Sequence, residues 1–130
     1  MPTPHDTHGA FSWNELTTTD TKAARAFYGK LLGWQFQDMD MGPSGTYTVI
    51  NVDGKGIGGI AGTPPNAKGM PPVWGAYTTV NDVDAVVAKV SSLGGKVLMP
   101  PTDIPTVGRF ATIQDPQGAT MSLITYAKQN

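Results

Sequence analysis

The chain has 130 residues, enough for one domain with a core of its own. Its 16 glycines and 11 prolines, set against 39% hydrophobic residues, signal many turns between short elements and exclude a disordered chain. Nine basic against ten acidic side chains give a net charge of -1 with no basic surplus for a nucleic acid, and the absence of cysteine removes disulfides, thiolate metal sites and cysteine nucleophiles.

Residues 1–9 form a polar tail, unlike a signal sequence, and no apolar run reaches the length of a membrane span. A cytoplasmic protein that uses no membrane is therefore expected. A strand over Ala10–Thr18 leads to Asp20, placed to cap a helix. Within that helix Ala24, Phe27, Tyr28 and Leu31 recur at helical spacing, and Gly33 supplies the left-handed stop. Strands follow at Gly33–Met39, Tyr47–Val52 and Gly56–Ala61, with turns at Gly42–Gly45 and at Asp53-Gly54. A linker rich in proline and glycine, Thr63–Pro72, cannot hold regular structure.

The same grammar then returns. A strand over Val73–Val80 leads to Asp82, and Val83, Val86, Val87, Val90 and Leu93 mark a second helix stopped at Gly94. Strands at Lys96–Met99, Arg109–Gln114 and Thr120–Thr125 complete the copy, with a turn at Asp115–Gly118. At an offset of 62 residues, six identities fall between positions 17 and 33, pairing Thr17, Asp20, Ala23, Ala26, Leu31 and Gly33 with Thr79, Asp82, Ala85, Ala88, Leu93 and Gly95. The expected class is α+β. Two βαβββ repeats, 10–62 and 73–126, form a half-open eight-stranded cup with one helix outside each half, within a single domain spanning 10–130. Neither half is expected to bury its apolar face alone.

These residues resemble the vicinal oxygen chelate superfamily, which includes glyoxalase I, extradiol dioxygenases, and bleomycin- and fosfomycin-resistance proteins. The resemblance is carried by Phe27-Tyr28, Leu32-Gly33-Trp34 and Asp115-Pro116-Gln117-Gly118 within the repeated pattern. Trp13–Leu16, Trp74–Tyr77 and Gly108–Ala111 are further similar to a glyoxalase-like subgroup of unassigned activity. The resemblance implies a divalent metal held by His and Glu inside the cup. Three of those ligand positions fall here on Trp13, Gly75 and Ser122. An indole and a glycine offer a metal no lone pair, and a lone hydroxyl is a poor ligand. The family metal is therefore expected to be absent, and no cofactor is expected. His5 and His8, the only histidines, sit in the tail and are read as solvated.

Strand alternation, counted from the ligand positions that the resemblance implies, points Trp13, Glu15, Gly75, Tyr77 and Ser122 into the cup. Trp13 opposite Gly75 leaves a gap beside a flat wall, suited to a planar or apolar molecule. Glu15, the sole glutamate, lies in an apolar strand and needs a donor, with Tyr77 or Arg109 the candidates. It is either a substrate anchor or general base, or half of a buried pair that holds the cup in register. Arg109 is either a partner for Glu15, a contact for an anionic ligand, or a solvated strand end. Tyr47, Phe110 and Trp74 are aromatic candidates for wall or core. Asn14, of opposite parity, faces the helix. The stretch Gly54–Gly59 matches a dinucleotide fingerprint, but Pro64-Pro65 precludes the helix that must follow, so it reads as a glycine-rich hairpin.

Three functions follow. The first is a metal-independent protein binding a small aromatic or hydrophobic molecule through Trp13, Glu15, Tyr47, Gly75, Tyr77, Arg109, Phe110 and Ser122. The alternative is a metal-dependent glyoxalase-like lyase, isomerase or dioxygenase with displaced ligands such as Glu15. The third is an interaction subunit without a ligand. The resemblance implies pairing into a homodimer, since members of that superfamily often form symmetric dimers and sometimes exchange halves, which the Thr63–Pro72 linker is long enough to allow.

Overall fold

A computed structural model describes residues 3–64 and 67–127. Two positions of the expected linker, Pro65 and Asn66, and the last three of the expected domain lie outside the described residues. The fold is α+β. Eight strands run in chain order as β1 (Phe11–Thr18), β2 (Gln35–Asp40), β3 (Thr46–Val52), β4 (Lys55–Gly62), β5 (Val73–Thr79), β6 (Lys96–Ile104), β7 (Gly108–Gln114) and β8 (Thr120–Tyr126). Helix α1 (Thr21–Leu32) follows β1, and α2 (Val83–Val87) follows β5. The βαβββ grammar thus occurs twice. Contacts divide the chain into two compact units, Trp13–Gly75 and the remainder, in which the stretch up to Ser12 joins the residues from Ala76 onward.

In the first unit the strand order is β2-β3-β4-β1. β1 and β4 run parallel, with Asn14 beside Gly58 and Glu15 beside Gly59, while the β2–β3 and β3–β4 pairs are antiparallel. The Asp53-Gly54 turn has positive φ at both positions (52° and 76°), the backbone a two-residue hairpin demands. The Asp20 carboxylate accepts from the Ala23 amide at 3.0 Å, and Gly33 ends α1 at φ 74°. The core of this unit is Leu16, Ile50 and Ile60, with Ala24, Tyr28, Trp34 and Phe36 packed against it.

The second unit repeats the order as β5-β8-β7-β6, with β5–β8 parallel and the other pairs antiparallel. Its core is Val80, Val83, Ala111 and Leu123. Each copy therefore has a buried apolar cluster of its own. Asp82 accepts from the amides of Asp84 and Ala85. The Thr125 hydroxyl accepts from the Val83 amide at 3.0 Å and donates to the Val80 carbonyl at 2.8 Å, tying β8 to the start of α2.

Two elements differ from expectation. The second helix is regular only over Val83–Val87, and a 3-10 turn at Ser91–Leu93 precedes Gly94. A run of β-branched valines followed by Ser91-Ser92 has low helix propensity, so the capped first turn forms and the rest tightens. Strand β6 continues past Met99 through Pro100-Pro101 to Ile104, with register shifts on either side of Met99. β6 is the last strand in its unit's order, and its two prolines fall within the second register shift, where pairing with β7 is already interrupted. The tail is docked rather than loose. Gly9 donates to the Thr79 carbonyl at 2.7 Å, Thr79 donates back to Ala10 at 2.8 Å, and His8 Nδ1 accepts from the Asn81 amide at 2.9 Å. The His5 ring lies 4.4 Å from that of Tyr126.

Candidate functional site

On β1 the alternation of the strand sends Leu16 into the core under α1 and sends Trp13 and Glu15 to the opposite face. There they meet Tyr47 of β3. The indole Nε1–H of Trp13 donates to the Tyr47 hydroxyl at 3.0 Å, and that hydroxyl donates to Glu15 Oε1 at 2.7 Å. All three side chains are half-buried. The hydroxyl is an acceptor on one side and a donor on the other, so the hydrogen bonds run in one direction, from indole to phenol to carboxyl.

A glycine of β4 makes this arrangement possible. A Cβ at Gly59 would overlap the Tyr47 hydroxyl, and one at Gly56 would stand 3.6 Å from the outer edge of the Trp13 ring. Only Gly59 is thus required to make room for a ring; at Gly56 a Cβ would reach Trp13 at ordinary contact distance. At Gly75 a Cβ would have nothing closer than the Glu15 carbonyl oxygen, at 3.9 Å. The glycine-rich stretch Gly54–Gly59 is therefore a turn and strand that admits the Tyr47 ring, in agreement with its reading as a hairpin.

The donor of Glu15 that the sequence did not single out is Tyr47, 32 positions away on β3. The glycine at 59, directly beside Glu15 in the β1–β4 register, was the available signal. Arg109 is committed elsewhere. Its guanidinium holds Asp84 at 2.9 and 3.1 Å and Asp103 at 3.0 Å on an exposed face. That hydrogen bond holds the Asp84 carboxyl below its ordinary pKa, against a smaller opposing desolvation, and the two carboxylates raise that of Arg109. Tyr77 and Phe110 meet as rings at 6.3 Å in the second unit, where the Ser122 hydroxyl is hydrogen-bonded to that of Thr112 at 3.0 Å. Trp74 belongs to a different cluster, with Tyr28 and Trp34.

The donor set around Glu15 suits a cation poorly. Trp13 turns its N–H toward the Tyr47 hydroxyl and Tyr47 its O–H toward the carboxyl, and the indole has no lone pair to give. One carboxylate and one phenol fall short of the three protein ligands usual for a catalytic metal. Among the described residues no three His, Cys, Asp or Glu side chains stand together to hold an ion.

Relatives agree with this fold. The chain is 45% identical over 117 residues to "Putative glyoxylase CFP32" of Mycobacterium tuberculosis, covering 88% of this chain and 45% of that protein. It is 32% identical over 127 residues to "Anthracycline biosynthesis protein DnrV" of Streptomyces peucetius, covering 88% and 46%. The chain thus spans about half the length of these curated relatives. Among solved structures, methylmalonyl-CoA epimerase from Mycobacterium tuberculosis superposes with a TM-score of 0.67 at 16% identity, over 92% of this chain and 89% of that one, a likeness of fold. Residues 10–123 match the sequence pattern of one family, and with that match the chain belongs to the glyoxalase/bleomycin resistance protein/dioxygenase superfamily.

Proposed function

We propose that this protein binds a small aromatic or hydrophobic molecule on the Trp13 face of its first repeat, without the family's metal. The observation that supports this reading is the Trp13–Tyr47–Glu15 chain standing where the resemblance expects a metal-ligating side chain. The face offers two flat rings, a side-chain-free position at Gly75, and one fixed polar point. A ring stacks on such a surface through dispersion and apolar burial, while a hydroxyl or carbonyl on its edge is oriented by the phenol–carboxyl pair. In this reading Glu15 acts through Tyr47 as an orienting group. The relatives named for anthracycline biosynthesis support a fused-ring ligand, since anthracyclines are flat polycyclic aromatics.

The chain holds three tryptophans. With Trp34 and Trp74 replaced by Phe, Trp13 becomes the sole indole reporter. Titration with 1-naphthol and anthraquinone derivatives is expected to give a saturable fluorescence change that Tyr47→Phe weakens about tenfold, the worth of one well-made hydrogen bond. Absence of any saturable change across such a panel rejects the proposal. A stoichiometric metal ion found by elemental analysis after metal-supplemented purification, and lost in Glu15→Gln, favours the metal-dependent lyase, isomerase or dioxygenase reading instead.

A further inference from the structure

A second concavity lies on the opposite face of β1. Asn14 alternates with Trp13 and Glu15 and so shares the face of Leu16, which α1 covers. Beyond the end of that helix Asn14, Trp34, Ile50, Ile57, Gly58 and Trp74 line a groove of about 300 Å³. Two indoles packed edge to face form a corner of it, with centroids 5.9 Å apart and planes inclined at 79°. Trp74 is held in place by its Nε1–H, which donates to the Tyr28 hydroxyl at 3.2 Å, and Trp34 stacks on the Tyr28 ring at 5.5 Å. The corner is therefore set before any ligand arrives, and Gly58 keeps the floor free of a side chain. Trp74 nevertheless leaves 42% of its surface exposed, a large apolar area for a residue so firmly placed.

Polar groups in the groove are few and specific. Among the described residues neither the Asn14 carboxamide nor the Trp34 indole N–H has a hydrogen-bond partner. No titratable side chain lines the groove, so nothing there compensates a charged ligand. A carboxamide presents one acceptor and two donors, and it pairs in two-point fashion with an edge carrying a donor beside an acceptor. The volume is about twice that of the roughly 150 Å³ apolar cavity known to take a single benzene ring.

We propose that this groove is a second ligand site, distinct from the Trp13 face. It takes a neutral, flat, two-ring heteroaromatic whose lactam-type edge pairs with Asn14 while its rings lie against the corner that Trp34 and Trp74 form. The chemistry that selects it is the amide edge; a purely apolar bicycle of the same size leaves the Asn14 and Trp34 groups unmatched.

Quinolin-2(1H)-one is the probe and naphthalene the control. In the Trp13→Phe variant only the two groove indoles report, so their quenching reads this site alone. Saturable quenching by the lactam is expected, about tenfold tighter than by naphthalene. Asn14→Ala is expected to erase that preference, and Trp74→Ala, a change at an exposed ring, to remove the quenching with the far-ultraviolet circular dichroism unchanged. Tyr47→Phe is expected to leave lactam affinity within twofold, whereas it weakens binding on the other face, so the two proposals fail separately. No saturable quenching, equal affinity for lactam and naphthalene, or lactam binding lost in Tyr47→Phe overturns the proposal. So does self-association that rises with protein concentration and is abolished by Trp74→Ala, because a second copy of the chain then fills the groove.

Discussion

The two repeats place different chemistry at equivalent points of one framework. In the first, Glu15 pairs in register with Gly59, Gly59 with Val49, and Tyr47 lies two residues before Val49. In the second, Tyr77 pairs with Ser122, Ser122 with Thr112, and Phe110 lies two residues before Thr112. The pair Glu15–Tyr47 is thus matched by Tyr77–Phe110, a hydrogen bond of 2.7 Å by a ring contact at 6.3 Å. Trp13 is matched by Gly75, and Gly59 by Ser122. One copy joins rings and a carboxyl into a directed polar chain. The other fills the same positions with an aromatic pair and a Ser–Thr hydroxyl pair. Backbone geometry is common to both, so the difference rests on a few side chains and on the glycine that makes room for one of them.

Breaking the glycine strand should have the largest effect. At Gly58 a Cβ would run into the Asn14 backbone carbonyl, which cannot turn aside without moving β1. Gly58→Ala is expected to cost about 3 kcal/mol in a urea melt, the scale of overpacking without an easy escape. A loss below about 0.5 kcal/mol would mean that β1 and β4 are more loosely coupled than their register implies.

Tyr47→Phe comes next. It leaves the Glu15 oxygen without this donor and the Trp13 N–H without this acceptor while keeping the ring, and about 1–3 kcal/mol of stability should go. The companion change Phe110→Tyr adds a hydroxyl where the other copy has one, but the position equivalent to Gly59 is Ser122, which pairs with Thr112 two residues along β7. No matching gain in stability is expected, and calorimetry on both variants would show whether the copies are as unlike as their side chains.

A third contrast lies in the turns. Between β2 and β3 positive φ is given to Gly42 and Gly45, whereas between β6 and β7 it falls on Thr106 (φ 66°), a β-branched residue. Thr106→Gly should stabilise the protein by about 1 kcal/mol through relief of this strain, offset in part by unfolded-state entropy. An unchanged or lower melting temperature would place the strain elsewhere.

The smallest effect concerns pH, and it belongs to the second copy. Arg109 holds the Asp84 carboxyl below its ordinary value, so this contribution to stability is present above the unfolded value of about 3.8 and is lost as pH falls through the lower folded one. Burial raises the Tyr126 pKa despite its bond with Ser12, so the unfolded chain ionises first and stability should decline from about pH 10 upward. In Asp84→Asn the acid arm should flatten while the alkaline arm stays, as read by melts across pH.

Much of the fold was legible because the repeat is written in residues with local meaning. Asp20 and Asp82 cap the helices, Gly33 and Gly94 end helical turns in the left-handed region, and Asp53-Gly54 closes a hairpin. Where tertiary position overrides such signals the reading fell short. Pro100-Pro101 argues for a strand end, yet the strand continues at an edge, with the prolines taken up in a register shift between Met99 and Thr102. The valine pattern from Val83 to Leu93 has helical spacing, but its branched side chains and the two serines shorten the helix. Of the site, Trp13 and Glu15 followed from strand parity. Tyr47 was visible only as an aromatic, because what brings it to Glu15 is the register of β3 on β4, and register is a property of paired strands rather than of either one.

The prolines of β6 have a consequence beyond their own strand. A sheet margin with a full row of amides and carbonyls is a template onto which a foreign chain can crystallise, the first step toward fibrils. Two consecutive imino acids within a register shift interrupt that row at its middle, so this margin resists recruitment even when the protein is crowded.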